Sequence, residues 1–182
     1  MRIKRISPDE MTAEQKEVYD ANVGSKRGRM PAPVHAWIRS PQMAKRMEPL
    51  GEFLRYDSEL GARLSEIAIL VCARHWTAHF EWYAHKRLGL EAGVKPEIIS
   101  AIAMRSAPDF SGDPKGQIVH DVSKALMEQH RLAQDIYDKA ISSLGEKGLV
   151  ELIGLLGYYC LVSMTLNTFE FDLPDGEKPE LT

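Results

Sequence analysis

Residues 75–89 read HWTAHFEWYAHKRLG, bringing three histidines, a glutamate and two tryptophans into one short segment. Glu81 and His85 are four apart. On a helix they share a face, where a carboxylate fixes the tautomer of an imidazole and raises its basicity. That pairing suits general acid-base catalysis. The same spacing also describes an exposed Glu/His pair contributing roughly a few tenths of a kcal/mol. Glu66 lies in the apolar stretch LSEIAILVCA. An unpartnered carboxylate there is costly, so a partner such as Arg74 or His85 is expected, unless Glu66 only serves the positive end of a helix dipole.

His75 and His79 are four apart as well, and with Glu81 and His85 they invite a metal reading. Zinc sites place paired histidines on one helix face, whereas His79 and His85 point about 240° apart around a helix. No metal and no cofactor are expected. Trp76, Trp82 and Tyr83 either wall a pocket for a flat ring or belong to the core, and Tyr158, Tyr159 and Asn167 pose the same choice. For an anionic substrate, the candidate cations are Arg74 and the loop arginines Arg27 and Arg29. Of the two cysteines, Cys72 sits in the apolar run IAILVCA and reads as a small buried hydrophobe; there is no C-x-x-C pair and no disulfide framework.

Helices must position these residues, because apolar positions recur at three- and four-residue spacings and strand signals are weak. Ser7-Pro8 opens the first candidate, which stops at NVGSKRGRMPAP, an exposed loop over Asn22 to Pro33. Ser40-Pro41 opens a second helix through Met47 and Leu54, and a third runs from about Leu64 to His75. The opening segment forms a fourth ending at Gly89, Pro96 starts a fifth, and Asp113-Pro114 caps and starts another. A further helix ends at Gly145, and a polar tail follows Asn167. Leu149 to Leu166 is nearly all apolar and touches the lower limit for spanning a bilayer. Its Glu151 and its lack of flanking basic residues beyond Lys147 fit a helix buried in a bundle better, so no membrane is expected.

With 182 residues, 44% hydrophobic and 27% charged, one packed domain over 1–182 is expected. Its parts are an N-terminal arm with helices (1–57), a core bearing the histidine segment (58–107), and C-terminal helices with the tail (108–182). A net charge of −3 gives no positive field for a phosphate backbone, which argues against nucleic acid. No apolar stretch follows the basic residues of MRIKRISPDEM, so a cytoplasmic location is expected.

From Glu66 through CARHWTAHFEWYAHKRLGLEAGVKPEIISAI the chain resembles the carboxymuconolactone decarboxylase and alkylhydroperoxidase D-like family, and RGRMPAP, GLVELIGLLGYY, LNTF and LPDG extend the likeness to its longer decarboxylase-type members. The resemblance implies an all-α fold, a bundle of helical hairpins, assembling into homo-oligomers such as trimers or hexamers. It aligns Glu66 and His85 with the glutamate and terminal histidine of the peroxidase branch. Ala78 and Glu81 stand where that branch has its two cysteines, and Phe80 where it has a further histidine. The dithiol of a peroxidase is therefore missing at this motif.

Together these readings lead to a metal-free acid-base enzyme acting on a small carboxylated lactone or unsaturated acid, by decarboxylation or proton transfer. His85, Glu66 and Glu81 would be catalytic, with Arg74, Arg27, Trp76 and Tyr83 binding substrate. A peroxidase-type protein using Cys72 as a lone thiol, and a non-catalytic oligomeric scaffold, are the alternatives.

Overall fold

A computed structural model describes all of residues 1–182, and it is all-α: eight helices and no strand. They are α1 (Ala13–Val23), α2 (Val34–Trp37), α3 (Pro41–Tyr56), α4 (Gly61–His75), α5 (His79–Glu91), α6 (Pro96–Ala103), α7 (Pro114–Gln129) and α8 (Gln134–Thr168).

The centre of the molecule is α4, whose residues Leu64 to Arg74 are all buried. A helix apolar on every side satisfies itself only when surrounded, and α4 packs against α3, α5, α6, α7 and α8. One hydrophobic core runs through it, including Ile67, Leu70, Trp82, Val119, Leu152 and Leu155. Glu66 therefore reaches the core as a passenger on this central helix.

Between α4 and α5 the chain turns within three residues, helped by Thr77 at φ 47°. The two helices form a hairpin that faces Glu66 toward α5. The expected stop at Gly89 gives way to a helix that continues to Glu91. Gly89 instead permits close packing, since a Cβ there would lie 3.3 Å from Leu70 Cδ1. Gly93, at φ 88°, makes the turn that follows.

At the N-terminus, Ser7 and Glu10 close a capping box around a single 3₁₀ turn (Pro8–Glu10), and Thr12 with Gln15 caps α1 afresh. The single first helix that was expected is thus two pieces. Asp113 caps α7 through the backbone N–H of Gly116 at 3.0 Å, as its sequence indicates. The break expected at Gly145 is present: its φ of 71° and ψ of 172° interrupt the helical run of α8. By length and composition α8 could cross a membrane, but 61% of its most apolar window is buried inside the protein.

Candidate active site

His85, on α5, lies between two carboxylates from different places in the chain. Its Nδ1 contacts Glu66 Oε2 of α4 at 2.6 Å, and its Nε2 forms an ion pair with Glu81 Oε1, one turn earlier on α5, at 2.9 Å. All three residues are buried, at 4–5% exposure. Burial by itself would push the imidazole toward neutrality, but the charges of Glu66 and Glu81 and their contacts outweigh it and raise its pKa to about 9. Near neutral pH His85 is an imidazolium with a carboxylate at each nitrogen.

The second oxygen of Glu66 faces Arg55 of α3, whose Nη2 is 3.4 Å from Oε1. Arg55 is a residue that the sequence did not single out; it closes α3 as an ordinary cation near a helix C-terminus. Burial works against its charge, but the acidic groups around it, Glu66 among them, hold its pKa above the usual arginine value. Two carboxylates and two cations make the buried cluster neutral, which lets it exist in the core. Tyr159 of α8 packs its ring edgewise on His85, with centroids 5.1 Å apart and planes at 84°. Burial raises its phenol well above the usual range, so it stays protonated.

Glu81 and His85 line a cavity of about 280 Å³ whose walls also include Tyr83, Arg55, Tyr158 and Tyr159. Glu66 stands behind His85, outside that wall. The loop after α1 supplies Arg27 and Arg29 to the same cavity. Buried Nε and Nη2 of Arg27 have no hydrogen-bond partner in the protein. Both atoms are closed to solvent, and the Tyr158 hydroxyl and the Glu48 carboxylate lie near enough to act on the guanidinium, so an acceptor in the cavity reaches these two donors only when neighbouring side chains move. Its position depends on Gly51 of α3, where a Cβ would lie 2.2 Å from the Tyr158 hydroxyl and 3.0 Å from Arg27 Nη2. Burial pushes Tyr158 up to about 12, with Arg27 pulling the other way, so its hydroxyl remains a donor.

The structure therefore gathers Glu66, Glu81, His85, Arg27 and Tyr83 at one place and leaves two expected residues elsewhere. Arg74 spends its guanidinium on the backbone oxygens of Ala103 and Thr182 and on Thr77 Oγ1, and borders a separate cleft with His75, Arg105 and Lys124. It is the wrong side of α4 for the carboxylate, and Arg55 takes the partner role foreseen for it. Trp76 packs edgewise on His75 and is not part of the cavity wall. Arg74 stands eight residues, about 12 Å, farther along α4 than Glu66, and Trp76 lies beyond the end of that helix. His79 lies in another surface hollow with Thr77 and Asn167, and Trp82 is core, donating to Glu180 at 3.3 Å.

Cys72 is fully buried but does not stand alone: its Sγ is 3.7 Å from that of Cys160 on α8. The reading of Cys72 as an isolated thiol is corrected by this contact, which a separation of 88 positions hid from the sequence.

No protein-family model matches the chain, and no curated protein does so either.

Proposed function

We propose that the protein is a metal-free acid-base enzyme of the carboxymuconolactone decarboxylase type, acting on a small carboxylated lactone or unsaturated acid. The observation that carries this reading is an imidazolium clamped by Glu66 and Glu81 at the wall of a cavity that also holds an arginine with unused buried donors. Such a site offers a proton and a carboxylate anchor a few side chains apart, which is what decarboxylation with reprotonation needs.

In the proposed reaction Arg27, supported by Arg29, holds a carboxylate of the substrate. A second carboxylate, at the carbon that reacts, leaves as carbon dioxide. The electron pair of the broken C–C bond passes into the conjugated carbonyl, and a hydroxyl from Tyr83 or Tyr158 stabilises the enolate-like oxygen. His85 supplies the proton that returns to carbon by way of Glu81, which contacts its Nε2 and also lines the cavity. Glu66, anchored by Arg55, keeps Nδ1 occupied and the ring oriented. Where the substrate carries no labile carboxylate, the same groups move a proton between carbons.

The resemblance of the histidine segment supports the hairpin-bundle fold type and a homo-oligomer, a trimer or hexamer. An apolar stripe on α8 agrees with assembly: Val150, Ile153, Gly157 and Met164 share one helix face and are exposed.

A panel of muconolactone-like acids tests the activity, read as release of carbon dioxide or loss of ring absorbance. Turnover that falls by about 10²–10⁴-fold in His85→Ala supports the reading. Turnover that survives the substitution places the chemistry elsewhere.

A further inference from the structure

Cys72 and Cys160 belong to α4 and α8, the helices that carry Glu66 and Tyr159. Their sulfurs are 3.7 Å apart, and a disulfide requires about 2.04 Å. Bonding requires the two sulfurs to close by about 1.7 Å along a contact they already make. The two thiols are also unequal. Cys72 has no exposed surface, while Cys160 is partly exposed and has Met127 Sδ as a further neighbour at 3.7 Å. Met127 in turn lines the cleft bordered by Arg74, Arg105 and Lys124, a basic approach one side chain away from the sulfur.

We propose that Cys160 and Cys72 form a redox-active dithiol, with Cys160 attacking and Cys72 resolving, that a low-molecular-weight disulfide oxidises to a Cys72–Cys160 bond. This site is independent of the acid-base cavity and does not rest on the function proposed for it.

The asymmetry of the pair assigns the order of events. Hydrogen bonding between the two sulfurs lowers the Cys160 pKa against the opposing effect of its burial. The same contact, followed by burial, raises that of Cys72. Cys160, the residue of the pair that solvent reaches, is thus the thiol that ionises first and attacks. Its thiolate attacks one sulfur of the small disulfide RSSR, an S–S bond breaks, and RS⁻ leaves and takes up a proton. Cys72 then loses its proton to solvent and attacks Cys160 Sγ, expelling the second RS⁻, which is protonated in turn. The protein gives two electrons and two protons; RSSR becomes two RSH. The product bond ties α4 to α8 beside Tyr159, the residue that packs on His85.

Glutathione disulfide is the probe. The folded protein is incubated with it in excess, quenched in acid and analysed by intact mass and by non-reduced peptide mapping. The wild type is expected to lose two hydrogen atoms, to show a peptide linking Cys72 with Cys160, and to recover both thiols on reduction with dithiothreitol. Cys72→Ser should stop at a glutathione adduct on Cys160, and Cys160→Ser should leave Cys72 unmodified. Because a substitution at buried Cys72 can disturb folding, the wild-type cross-link and the Cys160→Ser variant decide the matter. Two free thiols in the treated wild type, a stable glutathione adduct in place of the cross-link, or modification of Cys72 in Cys160→Ser would overturn the proposal.

Discussion

Glu66 Oε2 and His85 Nδ1, nineteen residues apart, meet at 2.6 Å across the α4–α5 hairpin in the interior of the protein. A histidine bound this way cannot be treated as a free base waiting for substrate. Its proton is held between two carboxylates, one of which, Glu81, lines the cavity.

The stored proton ties stability to pH. His85 has a pKa of about 9 in the folded protein, against 6.5 for the unperturbed group. Folding therefore takes up a proton where the unfolded chain has released it, and the stabilisation is complete below about pH 6.5 and lost as pH rises through about 9. The size is on the order of 3 kcal/mol. Urea titrations at pH 6.5 and pH 9.5 should differ in this direction, and Glu66→Gln should reduce the difference. An equal midpoint shift in Glu66→Gln and the wild type would contradict the account of this pair.

Much of this cluster was legible in the sequence. The four-residue spacing of Glu81 and His85 is a local relationship that a helix converts directly into contact. Glu66 was conspicuous because a carboxylate in an apolar run demands a partner. Arg55 was not, since an arginine at the end of an amphipathic helix has an ordinary role there. Arg74 reads in the sequence as a cation for Glu66 or for a substrate carboxylate, but its side chain leaves α4 toward α6 and the tail. Nothing local connects Cys72 with Cys160, because their contact is made by the packing of α8 on α4. The breaks at Asp113 and Gly145 were readable for the opposite reason: a cap and a positive φ are decided by the residue itself.

Arg27 should govern substrate binding. Removing a hydrogen bond to a charged group costs about 1.5–3 kcal/mol, so Arg27→Met should raise KM for a carboxylated substrate by roughly ten- to a hundredfold. The thermal midpoint should change little, since two of the guanidinium nitrogens have no partner in the protein. An unchanged KM would remove Arg27 from the site.

Gly51 should tolerate no side chain. A Cβ at 2.2 Å from the Tyr158 oxygen forces the phenol, and with it Arg27, out of place. Gly51→Ala should cost about 1–3 kcal/mol of stability and weaken substrate binding together. Circular dichroism melting and steady-state kinetics measure the two effects, and a variant that behaves as the wild type would contradict this packing.

Assembly is checked by size. Light scattering at micromolar concentration should give a multiple of the 20.5 kDa chain mass, three or six copies. Val150→Glu and Ile153→Lys, on the exposed stripe of α8, should lower it. A wild-type mass near that of one chain would argue against the oligomer.

Proton delivery by the Glu66–His85–Glu81 cluster is tested most directly by solvent isotope incorporation. The protein is incubated in D₂O with each acid of the muconolactone-like panel, and deuterium at the product carbon is followed by NMR. The account predicts that the wild type places solvent deuterium on that carbon and that His85→Ala slows this by about 10²–10⁴-fold. In Glu66→Gln or Glu81→Gln the rate should begin to fall at a lower pH than in the wild type. Incorporation at wild-type rates in His85→Ala, or no deuterium in the product of any acid that the wild type turns over, would contradict it.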